Sequence, residues 1–212
     1  MCADLISNNY MNENLKEGGV DYHARNHNSS NCFSAYNNII FDNSNIVMTG
    51  WRTQGEIYKN LAFTNNIFKN IVRASNHAAI HLNCASNYPI EGLTITNNII
   101  DGVSGTSNSG IYTTAIDGET IVKGNTIKNV AFRPFILQVT NNNGTDDSVR
   151  VEDNTFSDSP VGRLQILGTN ASGTDAVDVV ITNNIIHNVT NDFELCCWKF
   201  NDETTTKTLS GN

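Results

Sequence analysis

Arg73, Arg133 and Arg163 recur along a repeating chain and are the side chains best suited to bind carboxylates. A guanidinium presents a planar fork that holds a carboxylate through two parallel hydrogen bonds, so a file of them would suit an acidic polymer. Solvated turn residues or surface ion pairs would leave the same trace. His81 and Tyr112 could exchange a proton or stack on a sugar ring, and a surface histidine is the plainer alternative. His23, Arg25 and His27 make a dense polar run near the start. Asp146-Asp147 and Glu152-Asp153 lie in or after the Asn141-Asn142-Asn143-Gly144 loop, where calcium could find oxygen ligands, although a hydrated loop needs no ion. Cys2, Cys32, Cys84, Cys196 and Cys197 are odd in number and lack metal-finger spacing, so they read as free thiols.

The background excludes several classes. Charged residues make up 16% of the 212, and the net charge is −8. A broad electrostatic footprint for nucleic acid is therefore not expected. No apolar run is long enough for a transmembrane helix. Asparagine occurs 34 times and isoleucine 21 times against 10 leucines. Isoleucine favours strands, whereas asparagine favours turns and tolerates the left-handed backbone conformation.

These residues are carried by a repeat. A short motif centred on positions 9, 38, 66, 98, 125, 154 and 184 recurs as in Asn65-Asn66-Ile67-Phe68, Asn97-Asn98-Ile99-Ile100 and Asn183-Asn184-Ile185-Ile186. The units are about 29 residues long and fill the chain. Three positions before the anchor lies a mostly apolar residue (Ile6, Ala35, Phe63, Ile95, Val122, Val151, Ile181), and two after it another (Met11, Ile40, Phe68, Ile100, Ile127, Phe156, Ile186). Segments such as Leu93-Thr94-Ile95 alternate with the period of a half-buried strand. Three short strands per unit, joined by turns too short for crossover helices, can pair only with their counterparts in the next unit. The expected fold is all-β: a right-handed single-stranded parallel β-helix of about seven coils, forming one domain over residues 1–212. Asn9, Asn38, Asn66, Asn98, Asn125, Asn154 and Asn184 should take the left-handed bend and bond one another as an internal ladder.

The units from Leu93 to Val103 and from Val179 to Val189 resemble the repeats of right-handed parallel β-helix proteins of the pectate-lyase-like superfamily. The resemblance covers nearly the whole chain. It implies that the third strand of each coil and its flanking loops line a groove for polysaccharide, and that the protein is secreted or displayed at the cell surface. No basic segment followed by an apolar stretch is present in Met1 to Tyr10, so export rests on the resemblance alone.

On that assignment the outward groove residues are Asp21, His23, Arg25, Val47, Thr49, His81, Asn83, Tyr112, Thr114, Gln138, Gln165, Glu194 and Cys196. Arg73, Arg133 and Arg163 would lie in the turns just before those strands. Lyases of the superfamily break uronic-acid polymers by β-elimination, with arginine or lysine often serving as base and calcium or another cation neutralising the carboxylate. The resemblance therefore implies catalytic candidates Arg133, His81 and Tyr112, and substrate contacts from Arg73, Arg163, Gln138, Gln165 and Trp51. Arg133-Pro134 resembles the start of the pectate-lyase arginine-proline motif, but Leu137 stands where the second arginine belongs. The paired aspartates and Gly-His-Gly turn of the hydrolase branch are missing, and Asp21 and Glu194 lie at opposite ends of the chain. Trp51 and Trp198 are sugar platforms or core caps. The alternative to a lyase-like enzyme is a non-catalytic solenoid that binds carbohydrate, adheres or acts as a spacer. The absence of cap sequences suggests flanking domains in a longer chain.

Overall fold

A computed structural model describes residues 3–8, 10–12, 20–22, 33–42, 48–51, 58–75, 78–83, 89–114, 116–139, 147–168, 177–189, 191–198 and 207–211. They form twenty-two strands: β1 (Ala3–Ser7), β2 (Tyr10–Asn12), β3 (Val20–Tyr22), β4 (Phe33–Asn37), β5 (Ile40–Asp42), β6 (Met48–Trp51), β7 (Tyr58–Thr64) and β8 (Ile67–Ser75). Next come β9 (Ala78–Asn83), β10 (Ile90–Thr96), β11 (Ile99–Thr106), β12 (Ser109–Thr113), β13 (Ile116–Lys123), β14 (Thr126–Val130) and β15 (Phe135–Val139). The last are β16 (Asp147–Glu152), β17 (Thr155–Ser157), β18 (Val161–Gly168), β19 (Val177–Thr182), β20 (Ile185–His187), β21 (Asn191–Trp198) and β22 (Lys207–Ser210).

Every third strand pairs in parallel, so the chain winds as a β-solenoid with three faces. The first face stacks β1, β4, β7, β10, β13, β16, β19 and β22; the third stacks β3, β6, β9, β12, β15, β18 and β21. The second face stacks seven strands from β2 to β20. Inward side chains lie like on like: Phe41 stacks on Phe68 at 4.9 Å with ring planes 2° apart, and Tyr36 on Phe63 at 5.2 Å. Each such ring is fully shielded from water, and dispersion and apolar burial hold the coils together.

The double-asparagine anchor divides its labour between its two residues. The first of each pair, not the second, takes the left-handed bend: Asn65, Asn97 and Asn183 have φ of 56°, Asp153 also 56°, and Gly124 66°. The second residue points inward. Asn66, Asn98, Asn125, Asn154 and Asn184 are buried, and each of the first four donates from Nδ2 to the next Oδ1 at 2.9 to 3.0 Å. The same Oδ1 also accepts the preceding asparagine's backbone N–H, as at Asn98 N to Asn125 Oδ1, 2.9 Å. Each amide thus satisfies the buried backbone groups of a tight corner as well as the neighbouring amide.

In the second coil the ladder differs from the expectation. Tyr36 pairs with Phe63 and Phe41 with Phe68, which puts Ile39, not Asn38, at the ladder position. Ile39 is fully buried and its N–H donates to Asn66 Oδ1 at 3.0 Å, while Asn38 is exposed in the left-handed row with φ of 54°. Matching the unit on its Asn-Asn pair slipped it by one residue; matching Tyr36 and Phe41 as the inward residues gives the correct register. In strands a one-residue slip exchanges the two faces, and burial decides between them. Asn9 lies outside the described residues.

Candidate functional site

On the third face the pairings Thr49 with His81, His81 with Tyr112, Tyr112 with Ile136, Ile136 with Gln165 and Gln165 with Cys196 define one column in register. His81 and Tyr112 meet edge to face with ring centroids 5.0 Å apart, as their spacing of one coil suggested. His81 is not the surface residue that alternation implied, because only 6% of it is exposed. Tyr112 is half-buried and forms the outer member of the pair. Ile136, which was not among the candidates, occupies the column between Tyr112 and Gln165 and is 6% exposed. Gln138 is half-buried two positions further along β15, where it is level with Leu167 and not with Gln165; its N–H lies 3.4 Å from Thr113 Oγ1.

Arg133 is positioned by backbone contacts and by two side chains. Its carbonyl accepts Gly110 N–H at 3.1 Å, and the carbonyl of Pro134 accepts Ile111 N–H at the same distance. Only glycine fits at 110, because a Cβ there would lie 2.6 Å from the Pro134 oxygen. The guanidinium carbon sits 4.4 Å above the Phe132 ring, and Nη1 donates to Gln165 Oε1 at 2.6 Å across one coil. The bend between β14 and β15 therefore holds a half-buried cation in one place, since the aromatic face and the amide oxygen both favour the charged plane. Phe132 adjoins Arg133-Pro134 in sequence, and its aromatic type was the available signal for this contact.

The backbone places the three arginines in three different settings. Arg73 lies within β8 on the second face, Arg133 in a bend, and Arg163 within β18, where it pairs in register with Glu194. The side chains of Arg73, Arg163, Trp51, Trp198, Glu194, Cys196 and Cys197 lie outside those described, as do His23, Arg25, His27, Cys2, Cys32, Cys84 and the 141–146 loop. Of the two acidic pairs, Glu152 and Asp153 already hold the Lys123 ammonium at 3.3 and 3.2 Å. Asp153 and Glu152 together raise the pKa of Lys123. That arrangement suits an internal cation better than calcium, and no group of three or more potential metal ligands occurs among the described residues. No helix there is long and apolar enough to cross a membrane.

The second face carries an ordered charge pattern away from the expected groove. Asp42, Lys69, Asp101 and Lys128 occupy one outward column in alternation. Lys69 reaches Asp42 at 2.9 Å and Lys128 reaches Asp101 at 3.0 Å. Hydrogen bonds from Lys69 and then Asn70 hold the Asp42 carboxyl below its usual range. For Asp101 burial pushes upward, but Asn129 and Lys128 together outweigh it and the net shift is down. The recurrence of a charged residue two places after each outward Ile or Thr in β8, β11 and β14 was the legible signal.

Compared with protein-family models, curated proteins and solved structures, the chain matches none of them.

Proposed function

We propose that this solenoid recognises an acidic polysaccharide of the polyuronate type along its third face, as an extracellular protein related to the pectate-lyase-like superfamily. The observation that carries the reading is Arg133, a cation fixed by Phe132 and by Gln165, which stands two coils from Tyr112 in the same column. A guanidinium held in this way can meet a sugar carboxylate without first losing rotamer freedom, and Tyr112 further along the column offers a ring to the apolar face of a pyranose. Recognition is favoured over turnover because the Phe132 ring and Gln165 Oε1 both favour the charged guanidinium of Arg133, whereas a base must first give up its proton. In the lyase reading Arg133 would be the base and His81 and Tyr112 its proton relay. In the spacer reading the face would bind nothing.

Affinity electrophoresis in gels containing polygalacturonate or alginate distinguishes these readings, combined with ultraviolet absorbance of unsaturated product with and without calcium. Retardation that Arg133→Ala lowers at least fivefold, with no absorbance gain, is the expected result. Retardation unchanged by Arg133→Ala would remove the cation from the site and overturn the proposal.

A further inference from the structure

All four exposed large apolar residues among those described lie on the second face: Tyr10 and Ile185 at 59% exposure, Val72 at 52% and Ile99 at 42%. Tyr10, Ile99 and Ile185 belong to a single outward column with Ile40 and Ile67, and the column of alternating charge runs beside it. Tyr10, Ile40, Ile67 and Ile99 follow one another over four coils, Thr126 and Thr155 separate them from Ile185, and an apolar run beside fixed ion pairs is a candidate contact surface.

We infer that the partner is a second copy of this chain, packed face to face with its coils running in the opposite direction. The order of the charges selects this arrangement. A two-fold axis parallel to the strands and passing between β8 and β11 sets Lys69 over the other copy's Asp101 and Asp42 over its Lys128. Acid then meets base at each of the four positions. The same operation lays Ile67 over Ile99 at the centre of the contact, with Ile40 over Thr126 and Tyr10 over Thr155 on either side of it. An axis along the solenoid midway between the two columns would instead lay the apolar stripe on the charged column, a costly arrangement, and one running along the apolar stripe would leave the charged column of each copy without the other's charges to face. The ion pairs within each copy hold these side chains in place beforehand, so little freedom is lost on docking. An isologous contact of this kind closes on itself and stops at two copies.

The face also sets the strength. Six coils at about 4.8 Å by three to five residues at about 3.3 Å cover roughly 300 to 450 Å² on each copy. Both sides together fall short of the ~1,200 Å² at which stable interfaces begin, so the pair should be weak and reversible.

Sedimentation velocity of the 212-residue chain between about 10 μM and 1 mM reads this directly. The expected result is a monomer at the low end that moves toward a dimer, and no further, at the high end. Ile99→Arg should weaken association at least tenfold. The double variants Lys69→Glu/Lys128→Glu and Asp42→Lys/Asp101→Lys should each remain monomeric alone and pair when mixed. Circular dichroism establishes that each variant folds, and Ile99→Arg carries the test if the charge variants do not. Three results would overturn the inference: a monomer throughout, a dimer indifferent to Ile99→Arg, or a monomer whose polygalacturonate binding is lost with Ile99→Arg, which would assign the face to the saccharide.

Discussion

Replacing Asn125 by alanine probes the internal ladder at its middle. Asn125 Oδ1 accepts both the backbone N–H of Asn98 at 2.9 Å and the Asn98 side-chain amide at 3.0 Å. Its own Nδ2 donates to the Ile95 carbonyl at 2.8 Å and to Asn154 Oδ1 at 2.9 Å. Alanine removes these four bonds and a fifth from Nδ2 to the Lys123 carbonyl at 3.3 Å, although Lys123 keeps the Asn97 N–H, Asn98 Nδ2 keeps the Phe63 carbonyl and Asn154 Oδ1 keeps the Asn125 backbone N–H. What remains orphaned is the buried Asn98 N–H and one side of the Ile95 carbonyl. At about 1 to 3 kcal/mol for each buried group left without a partner, the loss should come to about 3 to 5 kcal/mol once the lost side-chain packing is added. For a domain of this length each kcal/mol moves the melting midpoint by about 2 to 4 °C, so a fall of roughly 10 to 15 °C is expected in a calorimetric scan. Asn97→Gly is the control: Gly124 already occupies that row one coil on, at φ of 66°, and the change should cost less than about 1 kcal/mol. If Asn125→Ala moved the midpoint no further than Asn97→Gly, the amides would be passengers of the corner and not its fastening.

The remaining expectations are smaller and independent. Gly124→Ala should destabilise by about 1 to 2 kcal/mol, because its φ is positive and the new Cβ would lie 2.5 Å from Asn97 Oδ1; chemical denaturation of the variant gives the value. Ile39→Asn should cost less than an amide in a core normally does, since its Nδ2 would face Asn66 Oδ1, the acceptor that the Ile39 N–H already uses; comparison with Ile95→Asn under the same denaturant tests this. Asp42 and Asp158 have carboxyls held below their usual range, Asp42 chiefly by Lys69 and Asp158 chiefly by Asn188. A folded pKa below the unfolded one adds stability that is present above the unfolded value near 4 and is lost as pH falls through the folded value. The melting midpoint should therefore drop on acidification below about pH 4, and by less in Asp42→Asn.

Much of the fold was legible because a solenoid writes its architecture as a period. Phe68, Ile100, Ile127 and Phe156 were placed inward from spacing alone, and all are buried. Coil two shows the limit. Asn37-Asn38 and Asn65-Asn66 look alike as letters, yet they stand one residue out of register because Tyr36 and Phe41 must stack on Phe63 and Phe68. The groove face was less legible, since alternation predicts direction and not cover. It implied a surface His81, but the Tyr112 ring one coil away could not be weighed from spacing, and His81 is buried.

The linear chain by itself determined that about thirty residues make one turn, that strands pair in parallel, and that asparagine lines the corner, because each of these follows from local alternation repeated at a fixed interval. Only the tertiary structure decided which asparagine bends and which is buried, that Arg133 reaches Gln165 and Phe132, and that Asp42, Lys69, Asp101 and Lys128 stand in one alternating column. Those outcomes depend on side chains brought within a few ångströms across coils, and there packing, not proximity along the chain, selects the neighbour.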